Sequence, residues 1–159
     1  MIRIGRHSNY VLRKLVEEME KNRVKEIDLS SISAITGSTL TRLIGALNQI
    51  EVLNLNKCTH VDDSIFNTIY TQRIKILDLE STLISDFGVK TLSYCKYLSV
   101  LNLSNCLNVT NKSIEFLSSS ITLEDLSIRS CPNITSEGFD IFQAGKKKKK
   151  RVILSLFIF

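Results

Sequence analysis

A chain of 159 residues has room for one domain that buries well over half of its unfolded surface. Its formal charge of +5 does not describe a basic body: Lys146 to Arg151 supply six of the 21 basic residues, and without them 15 stand against 16 acidic ones. A folded nucleic-acid-binding face is therefore not expected. Residues 1 to 10 are polar and basic, without the apolar stretch of a secretory leader.

Residues 1 to 23 read as an N-terminal helical cap or the helical half of a preceding repeat. Ser8 is placed to cap a helix, and Val11, Leu12, Leu15, Val16 and Met19 give it one apolar face.

Residues 24 to 145 then repeat one unit five times, with starts at 24, 50, 74, 98 and 123. The fourth copy shows the pattern best. Leu98, Leu101 and Leu103 mark a short strand with one buried side, Cys106 and Val109 form a turn, and Ile114 and Leu117 recur at helical spacing. The same offsets carry Ile27 and Leu29, Leu53 and Leu55, Leu77 and Leu79, and Leu126 and Ile128. A strand, a turn and a helix cannot bury their apolar sides alone, so successive copies must stack. The expected architecture is α/β: a leucine-rich-repeat solenoid, horseshoe-like, with a parallel sheet on its concave face and helices on its convex face.

The ninth position of the unit holds Cys58, Cys106 and Cys131. After it come Val61-Asp62-Asp63, Ile84-Ser85-Asp86, Val109-Thr110-Asn111 and Ile134-Thr135-Ser136. With these residues the stretch from 24 to about 142 resembles the cysteine-containing leucine-rich-repeat family, which includes the substrate-binding halves of F-box ubiquitin-ligase subunits and related antagonists of the mitotic exit network. The resemblance implies a substrate-recognition or adaptor protein of the SCF-type ligase class, with another protein as partner and ligase components among its associates. No F-box is visible, because the 23 residues before the repeats cannot hold that ~40-residue module.

The pleat assigns the outward side chains once the leucines are assigned inward. Val52, Ile76 and Val100 form an apolar stripe in the third column, between Glu26 and Asp125. The fifth column carries Asp28, Asn54, Asp78, Asn102 and Ser127, and the seventh Ser30, Asn56, Glu80, Ser104 and Arg129. The expected protein-binding residues on this concave face are Val52, Asn54, Asn56, Ile76, Asp78, Glu80, Val100, Asn102, Ser104 and Arg129. Asp62, Ser85, Thr110 and Thr135 read as helix caps, and Gly88 and Gly138 as sites of close packing.

The cysteines, Cys95 included, read as buried, reduced thiols rather than metal ligands or disulfides, which favours a reducing compartment, the cytoplasm or the nucleus. Thr82 and Ile32 stand where other copies have cysteine, a substitution that packing tolerates and a metal site does not. His7 and His60 have no acid at a spacing that suggests a triad or a metal cluster, and no glycine loop for phosphate is present. No enzyme activity, cofactor or metal is expected.

Residues 146 to 159 break the pattern with a basic run and the apolar end VILSLFIF. Leu154 and Leu156 suit the buried pair of a sixth strand, and eight residues fall far short of the ~20 that span a bilayer. A basic run beside an apolar end reads as a nuclear-import signal, a membrane-surface anchor or simply the place where the chain stops. The second functional reading is accordingly a structural or membrane-peripheral scaffold that works through this tail.

Overall fold

The computed structural model describes residues 9–33, 35–47, 49–144 and 151–153. Its elements follow the repeats. Helix α1 (Asn9–Lys21) leads to β1 (Glu26–Asp28) and α2 (Gly37–Ala46), then to β2 (Val52–Asn54), a 3-10 turn (Asp63–Ile65) and α3 (Phe66–Ile69). Next come β3 (Ile76–Asp78), α4 (Asp86–Leu92), β4 (Val100–Asn102), α5 (Asn111–Ser118), β5 (Asp125–Ser127), α6 (Ser136–Ala144) and β6 (Arg151–Ile153). The six strands form one parallel sheet in sequence order. This is a leucine-rich-repeat solenoid, its sheet concave and its helices convex.

Each strand is only three residues long, yet its ladder continues beyond it. The carbonyl of Lys25 accepts from the amides of both Glu51 and Val52, and the same fork recurs at Glu51, Lys75 and Ser99. Past the strand, the residue in position eight adopts a left-handed conformation in all five repeats: Ser31 (φ 61), Lys57 (60), Ser81 (59), Asn105 (56) and Ser130 (53). This turn aims the next bond. The amides of Ser31, Lys57, Ser81 and Asn105 donate to Asn56, Glu80, Ser104 and Arg129 carbonyls of the following repeat at 2.7–2.9 Å. None of the five is glycine, so each carries a backbone cost of ~1–2 kcal/mol that stacking outweighs.

The leucines and isoleucines of positions four and six are buried in every repeat, packed against Leu40, Leu43, Ile44, Phe66, Ile69, Val89, Leu92, Ile114, Leu117 and Phe142 of the helices. At the N-terminal end, α1 lays Val16 and Met19 on this core. The helix stops with Arg23 left-handed (φ 51), as Val24 N–H reaches back to Met19 O and Arg23 N–H to Glu20 O, a closure that turns the chain into the first repeat. The expected cap at Ser8 lies outside the described residues.

Buried cysteines do more than fill space. Cys58, Cys106 and Cys131 aim their Sγ–H at the carbonyls of Leu29, Leu79 and Leu103 in the preceding repeat, at 3.1, 3.2 and 3.1 Å. A thiol in this column is therefore a small hydrophobe that also satisfies a buried carbonyl. Thr82 donates to the carbonyl of Leu79 in its own repeat at 2.7 Å. Burial pushes all four thiols up, Cys95 and Cys131 to about 11. Native labelling by a thiol reagent is expected to be on the order of a hundredfold slower than labelling of the unfolded chain. Mass spectrometry of timed alkylation checks this, and rapid modification of native Cys106 contradicts it.

Between repeats, the first residue of one helix clasps the cap of the next. Asp63 accepts from the amide and hydroxyl of Ser85. Asp86 accepts from Thr110 N at 2.9 Å, Thr110 Oγ1 at 2.8 Å and the buried Ser113 hydroxyl. Asn111 does the same with an amide, accepting from Thr135 N at 3.0 Å and donating to Thr135 Oγ1 at 2.8 Å. Gly88 and Gly138 are needed beside these clasps. A Cβ on Gly88 would strike the Phe66 ring and Asp63 Oδ1, and one on Gly138 would sit 2.5 Å from Asn111 Oδ1. Gly37 occupies the clasping position of the first repeat and has no side chain to offer.

A sixth strand continues the sheet past the fifth repeat. Val152 pairs with Leu126, and Arg151 and Ile153 pair with Asp125 and Ser127. Leu154 and Leu156, like the lysine run, lie outside the described residues.

Candidate functional site: the concave sheet

The strand registers bring the third-column residues side by side: Glu26 beside Val52, Val52 beside Ile76, Ile76 beside Val100, and Val100 beside Asp125. Neighbours in such a sheet are ~4.8 Å apart. Val52 and Val100 are half-buried, and Ile76 between them is 41% exposed. A large aliphatic side chain in the middle of a sheet, open to solvent and flanked by two valines, is a natural contact for an apolar anchor.

The fifth column serves the fold first. Asp28, Asn54, Asp78 and Asn102 each accept the amide two residues on, at 2.9–3.0 Å, fixing the end of the strand before the left-handed turn. At Asp28 the backbone N–H of Ser30, helped by its hydroxyl and by Asn54, holds the carboxyl below the usual carboxylate range. Each of these side chains keeps further hydrogen-bonding capacity toward the concave side.

A denser cluster lies on β3 and β4. Asn102 Nδ2 stands 3.2 Å from both oxygens of Asp78 and from Glu80 Oε2, and Asn105 Nδ2 donates to Glu80 Oε1 at 3.1 Å. Two carboxylates are thereby held together by neutral amides. Asn56 is half-buried and Arg129 is exposed at the other side of the cluster. Ser104 is the exception among the expected contact residues. It is 3% exposed, with its hydroxyl 2.9 Å from Ser127 Oγ and accepting from Arg129 N at 3.2 Å. Its role is to tie β4 to β5 rather than to meet a partner.

At the strand entrances Glu51 lies between Lys25 (2.7 Å) and Lys75 (2.6 Å). Hydrogen bonds from these two lysines bring its carboxyl down to about 2. The triad ties three strands together at the margin of the face, and sequence reasoning missed it. Its signal was present as Lys25, Glu51 and Lys75 in one column.

The convex side offers a different surface. A depression of about 580 Å³ lies between the ends of α4 and α5, lined among others by Tyr94, Phe116 and Ile121. Lys90 Nζ stands 5.7 Å from the centre of the Phe116 ring. His60 is exposed in its turn. Among the described residues no group of three His, Cys, Asp or Glu side chains is placed to hold a metal, and no helix is long and apolar enough to cross a membrane.

No family model matches the chain. Among solved structures it is similar to a chain of the Rad7 and Elc1 complex of yeast, at a TM-score of 0.66 and 15% identity over 78% of its own length and 31% of that chain. It thus spans about a third of that relative. Leiomodin-1 actin-binding site 2 aligns with a TM-score of 0.68 and 17% identity over 87% of this chain and 88% of that one. For the tropomodulin C-terminal domain of Caenorhabditis elegans the values are 0.64 and 12%, over 84% and 90%. At these identities the likeness is one of fold, and the fold is the leucine-rich-repeat type.

Proposed function

We propose that the protein is a non-enzymatic protein-interaction module whose concave sheet holds a partner protein. The observation that carries this is Ile76, exposed at the centre of a paired strand array between Val52 and Val100 and bordered by Asn54, Asp78 and Asn102. Resemblance to the cysteine-containing repeat family extends the proposal to substrate recognition for a ubiquitin ligase of the SCF type, in the cytoplasm or nucleus. The fold likeness to a chain from the Rad7 and Elc1 complex, a protein assembly, is consistent with a protein partner.

Ile76→Glu is expected to remove ~2 kcal/mol or more of binding, a loss of roughly thirtyfold in affinity, with little loss of stability, because the side chain points away from the core. The measurement is affinity for a purified partner alongside the melting temperature. Lys112→Ala and Glu115→Ala on α5, and Ile121→Ser at the convex depression, are expected to do much less. If the convex changes weaken binding and Ile76→Glu does not, recognition belongs to the convex side. Copurification of ligase subunits tests the finer assignment, and vesicle binding lost on deleting residues 146–159 would favour the peripheral scaffold.

A further inference from the structure

The charge on the concave columns is one-sided. Within the five repeats Glu26, Asp28, Asp78, Glu80 and Asp125 stand there against Arg129, with Arg151 of β6 paired with Asp125 at the far edge, while Lys25 and Lys75 are engaged with Glu51 at the strand entrances. The centre of this charge is the pair Asp78 and Glu80. Their oxygens receive the amide groups of Asn102 and Asn105, which satisfy hydrogen bonds without cancelling charge. Ile76 stands on the same face of the same strand, two residues before Asp78 and on the order of 7 Å from it along the chain.

We infer that the concave face takes an extended segment of a partner in which an apolar side chain and an arginine or lysine are separated by one residue, the apolar group meeting Val52, Ile76 and Val100 and the cation meeting Asp78 and Glu80. This rests on the concave reading given above and names the chemistry of its partner. An extended segment repeats its side chains on one face at the spacing that separates Ile76 from Asp78. A guanidinium, with five donors in a planar fork, suits two adjacent carboxylates better than an ammonium does. Opposite charge across the contact also speeds encounter and rejects acidic partners.

The double variant Asp78→Asn with Glu80→Gln tests the charge without disturbing the fold. Asn54 and Asn102 already perform the strand-ending hydrogen bond of this column with an amide side chain, and Glu80→Gln keeps the shape. The probes are three synthetic peptides in one Gly/Ser frame, carrying Leu-Ser-Arg-Ser-Leu-Ser-Arg, the same with Glu for Arg, or the same with Ser for Leu. Amide chemical shifts of the protein are followed at peptide concentrations up to millimolar. The Leu/Arg peptide is expected to move the β2, β3 and β4 amides, and the double variant to weaken it roughly tenfold. Equal binding of the Leu/Glu or the Ser/Arg peptide overturns the inference, as does the absence of shifts in those strands. If Ile76→Ser weakens the Leu/Arg peptide and the double variant does not, the concave surface stands and the cationic partner falls. If neither change matters, both fall together.

Discussion

Leu101→Asp is expected to unfold the array. Leu101 is 1% exposed, paired with Leu77 on one side and Leu126 on the other in the inward column. An aspartate there loses the apolar contacts of three repeats and buries a carboxylate with no partner, at a cost of ~5 kcal/mol or more. That is comparable to the ~5–15 kcal/mol by which a domain of this kind is held together. Val100→Asp is the matched control. It puts the same carboxylate one residue earlier, in the column where Asp125 already stands in the next repeat, and is expected to cost ~1 kcal/mol or less. Circular dichroism during thermal and urea unfolding reads both. If the two variants melt alike, inward and outward have been assigned wrongly.

Asp86→Ala is expected to cost ~3 kcal/mol, more than most single changes outside the leucine columns. It leaves Thr110 N, the Thr110 hydroxyl and the buried Ser113 hydroxyl without the carboxylate that all three address. Asp86→Asn is expected to keep most of the stability, because Asn111 makes the same clasp to Thr135 with an amide. Acidity separates the two variants further. Partial burial pushes the Asp86 carboxyl up, but the bonds from Ser113 and Thr110 outweigh it and leave the group below the usual carboxylate range. A depressed folded pKa means stability that is present above the unfolded value, near 3.9, and lost as pH falls through the folded one. Asp86→Asn should therefore narrow the gap to the parent below pH 4. A parent-like denaturation midpoint for Asp86→Ala would show that the clasp contributes nothing.

The columns were legible because leucine spacing fixes the strand frame, and the frame then assigns every outward residue by parity. Ile76 was found in that way. The clasps were not, although their residues were in view: Asp62, Ser85 and Thr110 could be read as caps from local rules. Asp62 does accept from Ser64 N, Ser85 from Phe87 N and Thr110 from Lys112 N. The bonds that Asp63, Asp86 and Asn111 make to the next repeat depend on how repeats sit on one another, which no single repeat encodes. The same limit applies to Ser104. Parity puts it outward, but its hydroxyl is drawn into the seam by Ser127 and the amide of Arg129. Most of the left-handed residues were also hidden, since sequence rules look for glycine or asparagine in such a turn, and of the five only Asn105 is either.

Gly37 gives the array a polarity of its own. A stack of repeats behaves as a row of units coupled to nearest neighbours, and cooperativity along the row is limited by its loosest coupling. The couplings from the second repeat to the fifth each include a carboxylate or amide clasp. The first has Gly37 instead, set close under Ser64 and 3.1 Å from Asp62 Oδ1 at its missing Cβ. That joint is held instead by the pairing of β1 with β2, the Lys25–Glu51 ion pair, the Cys58 thiol on the Leu29 carbonyl and apolar packing. Ile76, Asp78 and Glu80 belong to the third repeat, two strands from β1, so a change confined to the leading unit is expected to leave the proposed binding surface in place.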